Sequence, residues 1–262
     1  MPSAKRRVPS AESQVPSARC PVPSAAIVVA VLVMTSLIAT LHADIILSAA
    51  ALNDALKKME RLTQTITGSN GAARANAWFD LGVEADALAT LINDEVAAHG
   101  SQEKALIDLG LSRTRELGVA IAYESSKKKF FYDNVAFREY LALQPRGAHA
   151  AQASFKLIEG DFFQSSATDV NAILAATERK REFLKQFPTF DDAVEVHLML
   201  SVDYRDLFRH YKAAGDAASR DRYRDLTRQQ LRLLMKSFPK TEQAEIARRM
   251  LQRFDEELRT TP

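Results

Sequence analysis

The sequence predicts an all-α protein built as an α-solenoid of antiparallel helix hairpins, and three observations support this fold class. Pro145, Pro188 and Pro239 each follow an apolar helical stretch, at intervals of 43 and 51 residues, which is typical of stacked helical repeats. The chain contains only 9 glycines, which argues against a β architecture rich in glycine turns. No segment alternates apolar and polar residues over a sustained length, so we expect no sheet.

The same frame of residues surrounds each of these prolines. An apolar pair lies five and four residues before the proline, an alanine lies five residues after it, and a leucine lies twelve residues after it. The alanines and leucines are Ala150, Ala193, Ala244, Leu157, Leu200 and Leu251. Small residues allow two helices to approach closely, large ones fill the space between them, and proline separates one helix from the next.

Residues 1–24 are predicted to be disordered. The tripeptide Pro-Ser-Ala recurs every seven residues and is mixed with Lys5, Arg6, Arg7 and Arg19. A proline in every heptad is incompatible with a helix, and this segment has no apolar periodicity from which a core could form.

Residues 25–43 are predicted to be the apolar part of an export signal or a membrane anchor. Residues 25–41 contain no charged side chain and follow a basic segment. Cleavage after Ala43 or after Ala50 would release the remainder of the chain. Retention would leave it anchored, because about 17 apolar residues is the lower limit for a membrane span. In both cases the Lys and Arg distribution predicts that the remainder crosses the inner membrane, into the periplasm.

The cysteine count and the charge distribution agree with export. The only cysteine, Cys20, precedes the apolar segment, so a cleaved chain would contain neither a thiol nor a disulfide. The first 43 residues contain four basic side chains and one acidic side chain, so the remainder has a net charge of about −1, compared with +2 for the whole chain. This removes the main support for a nucleic-acid-binding function.

The remainder of the chain is predicted to be helical almost throughout. Residues 44–71 are expected to form a linker or short helix, residues 72–144 a region of degenerate hairpins, and residues 145–262 the full repeats. Apolar residues at helical spacing place the individual helices. The expected helices cover about 72–95, 101–121, 126–143, 148–164, 170–186, 191–212, 219–237 and 241–259.

Two short segments match a known repeat pattern. Residues 78–82 (WFDLG) match its opening, and residues 200–204 (LSVDY) match a central portion. Together with the proline after each second helix, these segments resemble the tetratricopeptide repeat (TPR), well over residues 130–262 and partly over 72–95. The intervals exceed the usual repeat length of about 34 residues. Longer loops or helices are therefore expected, with 165–170 and 213–220 as the expected places.

The phrases that end two of the helices are similar to those of a periplasmic branch of this superfamily, the BamD/YfiO-like proteins. These phrases are residues 137–145 (FREYLALQP) and 181–188 (REFLKQFP). The chain differs from that branch because it lacks a lipidated cysteine after its apolar segment. The resemblance implies an exported scaffold or adaptor that binds partner proteins in the bacterial envelope, in a role related to outer-membrane assembly, without catalysis.

In such a stack, the first helix of each pair faces a concave groove. The positions predicted to face this groove are Phe79, Val83, Phe155, Glu159, Leu198, Val202, Arg249 and Arg253. An apolar groove that ends in arginines suits an amphipathic helix or an extended acidic peptide. The alternative interpretation places Phe155 and Leu198 in the core. We predict no cofactor, no nucleic-acid partner and no membrane contact beyond the N-terminal apolar segment.

The alternative function is a metal-dependent hydrolase, or another envelope enzyme, on an all-helical scaffold. Asp203, Asp206 and His210 are spaced to share one helix face and could hold a metal ion. The simpler interpretation is a solvent-exposed face on which Asp206 and His210 form a pair one turn apart. Phosphate loops, dinucleotide fingerprints and zinc spacings are absent from the sequence, so we predict no metal and no catalytic residue.

Three further clusters have a structural explanation as well as a functional one. Asp94, Glu95, His99 and Glu103 surround a predicted helix–helix turn, where capping and solvation account for them. His197 is expected at the edge of the core. Three consecutive lysines, at 127–129, precede aromatic residues 130–132. This run could contact nucleic acid or anionic lipid, but we interpret it as the basic start of a helix.

Overall fold

Helices dominate the described part of the chain, as predicted, but the expectation of no sheet is wrong. The computed structural model describes residues 46–100, 103–164 and 169–260, which form nine helices and one β-hairpin. The segments predicted to be disordered and to be a signal or anchor, residues 1–24 and 25–43, lie outside the described residues. None of the helices that the structure describes has both the length and the hydropathy of a membrane span.

The first three helices are α1 (Ala49–Gly68), α2 (Gly71–His99) and α3 (Lys104–Glu116). The segment predicted to be a linker or short helix is therefore mostly a 20-residue helix. The Ser48 side chain caps α1, because its oxygen accepts the Ala51 N–H at 3.1 Å. The buried side chains of α1 recur at helical spacing and face α2. They are Leu52, Leu56, Met59 and Ile66.

A β-hairpin follows α3, where two helices had been expected to meet. Its strands are β1 (Ile121–Glu124) and β2 (Lys129–Tyr132), paired antiparallel with Ile121 opposite Tyr132 and Glu124 opposite Lys129. The helix predicted to reach residue 121 ends instead at Glu116, two residues before Gly118, which has a φ of +77°. That conformation costs a glycine little and ends the helix.

The helix predicted to begin near residue 126 begins instead at Val135, as α4 (Val135–Leu143). The three lysines accordingly lie in and after the hairpin turn rather than at a helix start, and Lys128 adopts a left-handed φ of +53°. The strands have only four residues each, too few for alternation to be recognised in the sequence. β-Branched and aromatic residues stabilise them, because Ile121 and Tyr132 are buried in the same core.

Five longer helices follow, and their order agrees with the proline frame. They are α5 (Ala150–Gln164), α6 (Val170–Gln186), α7 (Ala193–Ala213), α8 (Ala217–Ser237) and α9 (Glu242–Thr260). Pro145, Pro188 and Pro239 lie in the connections before α5, α7 and α9. The loop expected at 213–220 is only residues 214–216, because α7 and α8 have 21 residues each. Long helices thus account for the 51-residue interval.

Neighbouring helices pack through a succession of apolar clusters. The largest joins α1 to α5 and includes Phe79, Phe137 and Tyr140. Smaller clusters join α5 to α7, and α7 to α8 and α9. The alanines of the proline frame, Ala150, Ala193 and Ala244, are all buried where helices approach each other. Their small size explains why they recur.

Candidate protein-binding face

The structure places two of the predicted groove residues inside the core. The Phe79 ring on α2 stacks on the His149 ring at a centroid distance of 4.1 Å and also contacts Phe137 and Tyr140. Phe155 on α5 packs against Phe183 and Phe190 and is 6% exposed. Neither aromatic ring is accessible to a partner, so the alternative interpretation holds for Phe155.

Val83 is exposed, but it lies on a different surface. It lines a shallow depression between α1 and α2, beside Leu62 and Lys58. Lys58 Nζ lies 3.3 Å from a Glu84 oxygen, so the rim of this depression is partly neutralised. The structure therefore does not bring Val83 together with the predicted residues of α7 and α9.

Glu159 lies in a polar pocket of about 170 Å³ between α2, β2 and α5. Lys156 lines this pocket, and its Nζ lies 2.9 Å from a carboxylate oxygen of Asp86 and 2.8 Å from a carboxylate oxygen of Glu159. Burial alone would lower the pKa of Lys156, but the two carboxylates outweigh it and raise the pKa above its ordinary value. Glu159 is therefore already paired. No local sequence pattern indicates this pocket, because its residues come from three separate elements.

Leu198 and Val202 share one face of α7 with three charged residues at helical spacing, which are Glu195, Arg205 and Arg209. Glu195 and Arg209 connect the two ends of this face to α9. The Glu195 carboxylate accepts a hydrogen bond from Gln243, and Arg209 makes two hydrogen bonds to Glu257, at 3.1 and 2.7 Å. Leu198 and Val202 lie between these connections and are half-buried. The alternative interpretation holds in part for Leu198, which packs against the apolar cluster that joins α7 to α8 and α9.

Arginines follow this aliphatic pair on α7 and also lie on the exposed side of α9. Arg205, one turn after Val202, is half-buried; its Nε has no hydrogen-bond partner within the described residues, and the Asp206 carboxylate lies 3.6 Å from its terminal nitrogen. Arg249 and Arg253 on α9 are exposed, one turn apart, and form no ion pair within the part of the chain that the structure describes. We call this surface the α7–α9 face. It consists of Leu198, Val202, Arg205, Arg209, Arg249 and Arg253.

The proposed metal constellation does not form. Asp203 points away from His210 into the interface between α6 and α7, where its oxygen lies 2.7 Å from Lys180 Nζ. Burial raises the pKa of Asp203, and the Lys180 charge opposes that rise. His210 is exposed, and its ring contacts the Tyr211 ring. Within the described ranges, no three His, Cys, Asp or Glu side chains are placed to hold a metal ion.

In the acidic cluster near the end of α2, Glu95 differs from its predicted solvated state, whereas Asp94 is exposed as expected. Glu95 is 1% exposed and accepts the Leu47 N–H at 2.9 Å, which fixes the segment that precedes α1. His99 Nδ1 lies 2.9 Å from the other Glu95 oxygen. Glu95 therefore has a structural role in connecting the start of the described chain to α2. No local sequence pattern indicates this role, because Leu47 and Glu95 are 48 residues apart.

His197 lies at the edge of the core, as expected, and predicts a pH dependence of stability. Burial lowers the pKa of its ring below the ordinary value of 6.5, and its Nδ1 lies 2.6 Å from the Gln230 side-chain nitrogen. Between the lowered pKa and 6.5, the unfolded chain binds the proton more readily than the folded chain. The free energy of unfolding should therefore decrease as the pH falls through this range.

Urea unfolding followed by circular dichroism at a series of pH values would test this expectation. His197→Gln should reduce the loss of stability on acidification, whereas His210→Gln, at an exposed position, should leave it unchanged. An identical pH dependence in the His197 variant and the original chain would contradict the assignment.

Two other depressions lie between helices. One, of about 230 Å³, separates α5 from α6 and has Ile158, Phe183 and Phe187 at its base. The other, of about 380 Å³, lies between α6, α7 and α8, where Tyr204 and Tyr223 meet Arg181. Arg181 is already paired with Glu178 at 3.1 Å. Both depressions are side-chain gaps between packed helices rather than extended surfaces.

The residues that the structure describes define the class: a predominantly helical protein in which consecutive helices pack together and one β-hairpin separates α3 from α4. No protein-family model matches this chain, and no curated protein sequence matches it significantly. The resemblance to TPR proteins therefore rests on the residues and helix pairing of this chain alone.

Proposed function

We propose that this protein is an exported TPR-like scaffold that binds a partner protein through the α7–α9 face, without turnover. The apolar segment at residues 25–41 supports export, and the helix-ending phrases before Pro145 and Pro188 support the periplasmic branch of the TPR superfamily. The paired helices from α5 to α9 are consistent with a solenoid of TPR-like hairpins. The proposed location is the periplasm, either free or anchored in the inner membrane.

The main support is the composition of the α7–α9 face. A half-buried aliphatic pair, Leu198 and Val202, lies on α7, and the neighbouring helix α9 carries Arg249 and Arg253, which have no acidic partner within the described residues. An exposed guanidinium gains most from a carboxylate, because the two groups can form paired hydrogen bonds. The surface thus suits an acidic segment with apolar residues on one side, either an amphipathic helix or an extended peptide.

A role related to outer-membrane assembly is part of this proposal, and it rests on the helix-ending phrases. The chain lacks a cysteine after its apolar segment, so it would reach the envelope without a lipid anchor of the BamD type. We therefore propose a paralogous adaptor with its own partner rather than a component of that assembly machine.

Site-specific photocrosslinking of the full chain in its native host would test the binding face. A photoreactive amino acid at Val202 or Arg249 should give one discrete adduct with a partner protein. The same amino acid at Gln229, which is exposed on α8, is the matched control and should give none. Equal crosslinking at all three positions, or at Gln229 alone, would contradict the proposed face.

A charge reversal would then test the role of the arginines. Arg249→Glu with Arg253→Glu should reduce the Val202 adduct by about tenfold, equivalent to the loss of about 1.4 kcal/mol of binding free energy. Arg232→Glu, on the exposed surface of α8, should leave the adduct unchanged. Phe155 is unsuitable for this test, because substitution of a buried ring changes stability rather than contact.

A further inference from the structure

The turn of the β-hairpin presents an exposed basic and aromatic surface, which we call the hairpin tip. It consists of Tyr123, Lys127, Lys128, Lys129 and Phe130. All three lysines are exposed, and none forms an ion pair within the described residues. The only acidic side chain of the two strands and their turn is Glu124, so the hairpin has a local excess of two positive charges.

Glu124 does not neutralise the lysines through direct contact. One of its oxygens accepts the Ser126 N–H at 3.1 Å. Hydrogen bonds from Ser126 lower the pKa of Glu124, with a smaller contribution from the Lys127 charge. The carboxylate thus stabilises the turn itself, and the lysine ammonium groups remain available to an external anion.

The aromatic part of the hairpin tip is amphipathic. Tyr123 is 52% exposed, and its ring lies 5.0 Å from the half-buried Phe130 ring. A tyrosine has an apolar ring and a polar hydroxyl group, which together favour the boundary between hydrocarbon and water. The turn end of the hairpin therefore offers both positive charge and an aromatic ring suited to a membrane interface.

The tip is held firmly on α2. The Asn93 side chain accepts the Phe130 N–H at 2.7 Å and donates to the Phe130 carbonyl at 2.8 Å, so it occupies the outer edge of β2. At the base of the hairpin, Ile121 and Tyr132 are buried in the core. A tip that is already ordered loses little conformational entropy when it binds.

The described part of the chain begins near the C-terminal end of α2. The Leu47 N–H bonds to Glu95, two residues after Asn93. Residues 42–46 separate Leu47 from the predicted apolar segment, and such a length spans at most about 20 Å. If that segment is retained in the membrane, as one form of the proposed function requires, Leu47 lies within this distance of the bilayer.

We infer that the hairpin tip docks on an anionic phospholipid surface. The three lysines contact lipid phosphates, and the Tyr123 ring lies at the level of the headgroups. Attraction between lysines and anionic lipids adds up over neighbouring side chains and decays within a Debye length, about 10 Å at 0.1 M salt. Docking on a bilayer therefore requires anionic lipid and weakens in high salt.

A fluorescent label at the turn would test this docking separately from insertion of the N-terminal segment. The full chain with Cys20→Ser and Ser125→Cys is labelled with an environment-sensitive dye and reconstituted into vesicles. The vesicles contain phosphatidylcholine alone, or phosphatidylcholine with phosphatidylglycerol, together with a lipid quencher at headgroup depth. A second chain with Gln229→Cys instead of Ser125→Cys is the matched control.

We expect quenching of the turn label in the phosphatidylglycerol vesicles and little in phosphatidylcholine alone. Lys127→Gln, Lys128→Gln and Lys129→Gln together should remove it, as should about 1 M salt, where the Debye length is about 3 Å. The Gln229→Cys label should not be quenched in either vesicle. Circular dichroism of the triple variant should show unchanged helical content, because the three substitutions are at exposed positions.

Three outcomes would overturn the inference: no quenching at the turn, equal quenching with and without phosphatidylglycerol, or quenching that survives in the triple variant. An equal response of the dye to soluble polyglutamate would also overturn it, since the tip would then bind polyanions in general. Crosslinking at Val202 is independent of these results, so failure here and failure of the proposed scaffold function are distinguishable.

Discussion

Asp203→Ala is expected to lower the free energy of unfolding by about 3–5 kcal/mol, because it leaves a buried ammonium group without its counter-ion. Lys180 on α6 and Asp203 on α7 have side chains that are 2% and 9% exposed, and their charged atoms are 2.7 Å apart. Thr177 also donates to Asp203, at 3.4 Å, and the Lys180 ammonium group lies 5.4 Å from the centre of the Phe162 ring.

Replacement of both partners should be much less harmful than replacement of one. Lys180→Met with Asp203→Leu removes both charges, and we expect a free energy of unfolding within about 1 kcal/mol of the original value, or above it. Urea unfolding followed by circular dichroism measures all three proteins. A double variant as unstable as Asp203→Ala would show that the pair is not the source of the effect.

An exposed ion pair provides the matched control. Arg113 on α3 lies 2.8 Å from Glu60 on α1, and the two side chains are 46% and 38% exposed. This pair also joins two helices, but water solvates both charges. Glu60→Ala should therefore cost less than about 1 kcal/mol. Similar losses for the exposed and the buried pair would contradict the role assigned to burial.

Gly82→Ala is expected to lower the free energy of unfolding by about 1–3 kcal/mol, through overpacking between α2 and α4. A Cβ atom at position 82 would lie 2.7 Å from the nearest carbon of the Phe137 ring, with two more ring carbons at 2.9 Å. That ring is fully buried and touches Phe79 and Tyr132, so it has no free space into which to move. In an exposed helix the same substitution would stabilise by about 0.5–1 kcal/mol.

Two further variants separate overpacking from a general effect of alanine. Gly68 is the last residue of α1, and a Cβ atom added there would have no neighbouring atom within 4 Å, so Gly68→Ala should cause no loss. In a Phe137→Leu background, Gly82→Ala should cost less than in the original chain, because the smaller side chain leaves space. Equal costs in the two backgrounds would exclude the Phe137 ring as the cause.

Several parts of the fold could be predicted because their signals are local. A helix depends on hydrogen bonds and side-chain contacts within four residues, so apolar spacing and the three prolines placed the helices from α5 to α9 within about two residues of their observed ends. Gly82, in the WFDLG segment that resembles the opening of the repeat, lies against the Phe137 ring. The hairpin gave no such signal, since each strand has only four residues.

The candidate site was predictable only in part. Helical spacing alone was enough to place Leu198 and Val202 on one face of α7, and Arg249 and Arg253 on one face of α9. It could not show that Phe155 is covered by Phe183 and Phe190, which come from another helix and from the connection after it.

For Asp203, the sequence shows a carboxylate one turn before Asp206 and two turns before His210, which suggested a metal site. Lys180, 23 residues earlier in the chain, approaches Asp203 from a second helix and pairs with its carboxylate, so Asp203 does not face His210. Sequence spacing within α7 contains no information about that approach.

The sequence by itself therefore determined that this chain is mainly helical, where most of its helices end, and which residues share each helix face. The tertiary structure decided which of those faces are covered, that β1 and β2 pair between α3 and α4, and that Asp203 meets Lys180 rather than His210. The physical reason is the range of the interactions: helix periodicity acts over four residues, whereas burial depends on neighbours that are distant in the chain.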